Sequence, residues 1–353
     1  MTRPAMTRAA MTRPTAIVRA VAALLCTLLA VSGCQSGTAP PTGSTGEQTV
    51  ASTALPRIPY VDLVDTIAAH RAKVWVEVDL VKAWQAGPQR YADVLNIAVK
   101  LASRPGVVGI KIADELGYHD GIDTPARARE FLAQASTGIR SRLPGTKILV
   151  DMIVPQLGCV AWAAEQAERL DCSTRAGNSS PAATIDAVDS YLASKTFDVL
   201  DLSAGLRDPE DYRAWKTTRD EAMRAVWKEV VRRQWGVLVT LQARKALAHA
   251  GSYAGDTAQA EKDLRTFVDI PLANGAHAVD IWTWSQEFKG TIYRLFDPGL
   301  QTNPLIAGLA RRRAAGAHLF THMTPSSMEV RTETDVKAAT AIFGSVFVAA
   351  GAG

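Results

Sequence analysis

The chain is poor in the features that announce most chemistries. Aromatic residues make up 7% and the six histidines are scattered, with no His-x-His or His-Glu-x-x-His cluster of the kind a catalytic zinc site needs. The dinucleotide-binding Gly-x-Gly-x-x-Gly, the P-loop and the Gly-x-Ser-x-Gly nucleophile turn are also absent, which argues against those nucleotide and acyl-transfer chemistries. No cofactor is implied, and no metal beyond an acid-only Mg²⁺ alternative at Asp151 and Asp201. Charge of one sign is lacking too. The 39 Lys and Arg fall to 35 once the four arginines of the leader, residues 1–33, are set aside, matching 35 acids. A neutral domain of this kind is not an electrostatic nucleic-acid binder.

What is present is a set of six apolar runs that alternate aliphatic with polar side chains. In Val74 to Leu80, Trp75, Glu77 and Asp79 share one face, because strand side chains point alternately to opposite sides. The pattern recurs in Val107 to Glu115, Ile148 to Ile153, Leu200 to Ser203, Val237 to Arg244 and Val279 to Gln286. Weaker candidates are Ala317 to Met323 and Ser345 to Ala350.

The intervening segments read as helices long enough for the crossovers that parallel strands require. Asp123-Thr124-Pro125 offers a cap and an N-terminal proline for a helix reaching Leu143, Asp208-Pro209-Glu210 starts one reaching roughly Arg233, and a third covers about Asp256 to Phe267. Tyr60 to Ala72 is amphipathic and fits the helical layer beside the last strand. The expected fold is a single-domain (β/α)8 TIM barrel over residues 57–353, with a doubly wound open sheet as the alternative.

The leader has no acid and carries an apolar stretch from about Ala20 to Ala30, too short to span a bilayer. It ends in Val31-Ser32-Gly33-Cys34, which resembles the bacterial lipobox. That resemblance implies an exported lipoprotein anchored to the cell membrane by a lipid on Cys34, with 1–33 as signal peptide and 34–56 as a Gly/Ser/Thr/Pro-rich tether unable to bury enough surface to fold. Cys26 then leaves with the signal. Cys159 and Cys172 remain, and outside the cytoplasm such a pair points to a disulfide, the alternative being two free thiols.

Barrel enzymes place chemistry at the C-terminal ends of strands. The candidates there are Glu115 and Asp280 as catalytic carboxylates, with Asp79, Asp151, Asp201, Gln242, Arg244, Trp284 and His322 as substrate-binding residues. Glu77, Lys111 and Asp198 lie deeper or at strand starts and suit structural pairing, Lys111 with Glu77 or Asp79. Trp282 is expected to fill the barrel and Trp284 to offer a platform for a sugar face. A glutamate after an early strand, several mouth carboxylates and a late strand ending in Trp-Ser resemble a barrel glycoside hydrolase, which implies general acid/base hydrolysis of a carbohydrate ligand. The chain departs from that family's usual pair of glutamates three strands apart, because the run three strands after Glu115 carries Gln242 and Arg244 instead. The alternative is a non-catalytic saccharide-binding or envelope-scaffolding lipoprotein. Oligomeric state has no signature in the sequence.

Overall fold

The computed structural model describes residues 59–350, apart from 165, 236–238 and 243–246, and leaves the side chains of 239–242 undescribed. Signal, tether and Cys34 therefore lie outside the described residues, as does Arg244.

The protein has an α/β fold around a curled, mostly parallel sheet. Its strands are β1 Lys73–Glu77, β2 Val107–Lys111, β3 Lys147–Ile153, β4 Val199–Ser203, β5 Val239–Gln242, β6 His249–Ala250, β7 Val279–Phe288, β8 Thr291–Arg294, β9 Leu319–Met323 and β10 Ser345–Ala349. Parallel pairing runs β5, β4, β3, β2, β1, β10, β9, β7, and β5 also pairs with β7. β8 pairs antiparallel with both β6 and the extended end of β7, forming a flap there.

Side-chain alternation splits the sheet into two faces. Val74, Val76, Ile110, Ile148, Val150, Leu200, Leu202, Val279, Ile281, Leu319, Val346 and Val348 are buried against the helices, where they meet Leu63, Ile67, Leu95, Phe131, Trp227 and Phe343. Each such side chain contributes about 1.5–3 kcal/mol by leaving water. The opposite face holds a small apolar cluster of Trp75, Leu149 and Phe347 near the strand starts, and ionisable groups further along.

The helices begin where the sequence supplies caps. Thr124 accepts a hydrogen bond from the Arg127 N–H ahead of the helix Pro125–Arg140, and Asn303 does so from Ile306 ahead of Pro304–Ala314. The helix expected to reach from Asp208 to Arg233 is two helices, Pro209–Ala214 and Arg219–Arg232. Lys216 turns left-handed at φ 54°, and Thr218 with Glu221 forms a capping box that restarts the chain. Beyond Asp256, which caps Thr257–Leu264, the backbone continues through a π-turn at Arg265–Asp269 into Ile270–Ala273. Pro59–Ala69 lies along the helix Thr332–Thr340, filling the layer beside the last strand. Cys159 and Cys172 are joined in a disulfide with their Cα atoms 5.7 Å apart.

Candidate functional site

Six ionisable side chains project from β1, β2, β3, β4, β7 and β9 onto the face opposite the helices: Glu77, Lys111, Asp151, Asp201, Asp280 and His322. Strand register puts them there. Glu77 pairs with Lys111 across β1 and β2, and Asp151 pairs with Asp201 across β3 and β4. All six are almost wholly buried, so each charge needs a partner within reach.

Lys111 Nζ lies 3.0 Å from Glu77 Oε1, 3.5 Å from Asp151 Oδ2 and 3.4 Å from Asp114 Oδ1. The His322 ring bridges two carboxylates, Nδ1 at 2.7 Å from Glu77 Oε2 and Nε2 at 2.7 Å from Asp280 Oδ2, and stacks on Phe347 at 4.7 Å. Burial opposes ionisation of Glu77, but the positive charges of Lys111 and His322 prevail and hold its carboxyl down at about 2. Burial likewise disfavours the imidazolium of His322, yet Asp280 and Glu77 raise it to about 9. The Lys111 ammonium is pushed well up by Glu77, Asp114, Asp151 and Asp201 against the same cost of burial.

Among the described residues, two cations face four buried carboxyl groups and cannot neutralise them all. The excess falls on Asp151 and Asp201, both held far above the usual carboxylate range, first by burial. For Asp151 the Lys111 charge partly counters this, while for Asp201 the negative neighbours Asp280 and Asp151 add to it. Asp201 shares a side-chain hydrogen bond with Asp280 and meets no other partner among the described residues, and Ser285 Oγ meets none there. The arrangement thus sets two carboxyl groups whose ionisation is disfavoured beside a paired core of Glu77, Lys111 and His322.

Several sequence expectations need correction. Strand β2 ends at Lys111, so alternation no longer governs Glu115, which sits half-buried in a loop with left-handed backbone at φ 59°. Asp114, which sequence reasoning passed over, is the loop acid that reaches Lys111; its spacing of three residues from the lysine was the available signal. Asp79 is a helix cap, accepting from the Lys82 N–H at 3.0 Å and pairing with the Lys82 ammonium at 2.9 Å. Asp280 is bound to His322. The roles of the two tryptophans are exchanged: Trp284 is 2% exposed and packs on Phe296 at 4.6 Å, whereas Trp282 is half-buried and donates to Gln286. The register of β7 against β9 slips between Ile281 and Ser285, which defeats simple alternation there. Gln242 lies in β5 in register with Asp280.

No family model matches the chain, and no curated protein matches it. Solved structures do. The carboxyl transferase domain of Rhizobium etli pyruvate carboxylase with pyruvate and biocytin aligns at TM-score 0.41 and 14% identity, over 82% of this chain and 42% of that one. The complete multifunctional enzyme from the same organism gives 0.41 and 14%, over 82% and 24%. A 2,3-dimethylmalate lyase of the PEP mutase/isocitrate lyase superfamily gives 0.36 and 13%, over 82% and 80%. The chain thus spans less than half the length of the pyruvate carboxylase chains. These neighbours are a carboxyl transferase and a lyase, where the sequence had pointed to a glycoside hydrolase.

Proposed function

We propose that the parallel ring is a (β/α)8 barrel whose mouth, at the C-terminal strand ends, is an acid–base site with Asp201 as its proton donor. The observation that carries this reading is the buried carboxyl of Asp201, held above the usual carboxylate range first by burial and hydrogen-bonded only to the Asp280 carboxyl among the described residues. A carboxylic acid kept neutral by its surroundings is a hydrogen-bond donor to an oxygen that gains negative charge. The fitting substrate is a small polar molecule with a carbonyl oxygen, polarised by Asp201 while the proton of an adjacent C–H bond passes to the neighbouring Asp280 carboxylate. Asp151 is the second member of the acid pair, and Lys111, Glu77 and His322 hold the two in place.

The test is solvent-deuterium incorporation into a panel of small carbonyl compounds, read by mass spectrometry. Exchange by the parent protein and its loss by roughly 10² or more in Asp201→Asn supports the assignment. Exchange that persists in a folded Asp201→Asn variant removes it.

The lipobox-like run at Cys34 and the Cys159–Cys172 disulfide together support an exported protein tethered to the membrane surface by lipid, because disulfides persist in oxidising compartments. Its partner is then the membrane itself.

A further inference from the structure

A cavity opens at the N-terminal end of the strands, opposite the acid cluster. Its rim and walls are strand starts: Lys73 begins β1, Lys147 begins β3, Val199 begins β4, Leu319 begins β9 and Ser345 begins β10. Its volume is about 540 Å³, within the size range of small-molecule sites. Lys147 lies four residues before Asp151 on one strand, which sets this cavity roughly 13 Å from the acid pair.

The floor is apolar and partly aromatic, with Trp75, Val199 and Phe320 facing the opening. The rim is cationic. Lys73, Lys147 and Arg313 form no ion pair with any described residue, while the rim's one carboxylate, Asp198, is already engaged by Arg140 at 3.2 Å and by the Ile148 N–H at 2.8 Å. His277 and His318 complete the rim, their rings 5.8 Å apart.

Two glycines shape the cavity. A Cβ on Gly109 would sit 2.3 Å from the Trp75 ring, so glycine is what lets that indole lie across the floor. A Cβ on Gly344 would come within 3.1 Å of the Arg313 guanidinium, so glycine admits the cation at the edge. The Trp75 indole is 4% exposed and its Nε1–H has no acceptor among the described residues, a donor left over in a site already rich in positive charge.

We propose that this cavity binds an amphipathic organic anion, its apolar body on Trp75 and Phe320 and its acidic group among Lys73, Lys147 and Arg313. Unpaired cations over an apolar floor favour a ligand that supplies both complements, and neither a bare inorganic anion nor a neutral hydrophobe does so. This site is independent of the acid–base reading at the opposite end.

The probe is anilinonaphthalene sulfonate, an aromatic monoanion whose emission rises in apolar surroundings, titrated against the purified protein and compared with neutral phenylnaphthylamine. Saturable binding that prefers the sulfonate is expected. Lys147→Gln and Arg313→Gln should each weaken it about tenfold, equivalent to about 1.4 kcal/mol, and Trp75→Phe should reduce energy transfer from protein to probe. Arg90→Gln, an exposed charge outside the cavity, should leave the affinity unchanged. Equal affinity for the neutral compound, or unchanged affinity in both Lys147→Gln and Arg313→Gln, would overturn the proposal, as would the absence of saturable binding.

Discussion

Asp151 and Asp201 are direct register partners on β3 and β4, so their carboxyl groups leave neighbouring strands on the same face and at the same height. With the Lys111 ammonium 3.5 Å from Asp151 and no cation of its own for Asp201 among the described residues, the pair cannot ionise cheaply. This has a consequence for stability.

Folding raises both carboxyl pKa values, so the folded chain keeps protons that the unfolded chain releases at about pH 4. Stability contributed by these groups is therefore largest below that pH and falls as pH rises towards their folded values. Asp201→Asn removes one such loss. Its melting temperature at pH 7 to 8 should exceed that of the parent by a few degrees, each 1 kcal/mol moving it about 2–4 °C in a chain of this size. Calorimetric melting across pH checks this, and a lower melting temperature for the variant at pH 8 would contradict it.

His322 has the opposite protonation chemistry but the same alkaline direction. Its folded pKa is raised from 6.5 to about 9, so its stabilisation is complete below about pH 6.5 and is lost as pH rises through about 9. Titration of the ring protons by NMR should show one histidine with a midpoint near that value. His322→Gln should cost about 3–5 kcal/mol in denaturant unfolding, since it leaves Glu77 and Asp280 short of a cation.

Lys111→Met should be destabilising by a similar amount, about 3–5 kcal/mol, because Glu77 and Asp151 lose the ammonium they share. Adding Glu77→Gln to Lys111→Met should recover part of the loss. A double-mutant cycle with no coupling between these positions would show that the contact carries no energy.

Reduction of Cys159–Cys172, or the paired Cys→Ser change, opens a loop with a sequence separation of 13. The cost should be about 3 kcal/mol on the chain-entropy account, seen as a lower denaturant midpoint in the presence of reductant.

If Cys34 is the lipid site, intact mass spectrometry of membrane-extracted protein should show a diacylglycerol-bearing chain beginning at that residue. Recovery of an unmodified secreted chain would exclude the anchor.

Much of the sheet was legible because strand alternation is a local rule: residues 74 to 80, 148 to 153 and 200 to 203 declare both faces without reference to any neighbour. Helix starts were legible for the same reason, as at Thr124-Pro125. The rule failed at the strand ends. Asp79 turned into a cap, Glu115 itself takes a left-handed turn, and the slip after Ile281 exchanged Trp282 with Trp284. A one-residue departure from extended backbone reverses which way every later side chain points, and no local pattern marks where it occurs.

The sequence by itself determined which residues could meet on the polar face, since the spacing of Glu77, Lys111, Asp151, Asp201, Asp280 and His322 within their runs fixes their side of the sheet. Only the tertiary structure decided their charges. Those depend on the His322 ring spanning two carboxylates from strands far apart in the chain, on Lys111 being shared among Glu77, Asp151 and Asp114, and on Asp201 having no ion pair among the described residues. The physical reason is that electrostatic free energy is set by distances of a few ångströms and by exclusion of water, and both exist only once the strands have closed around the site.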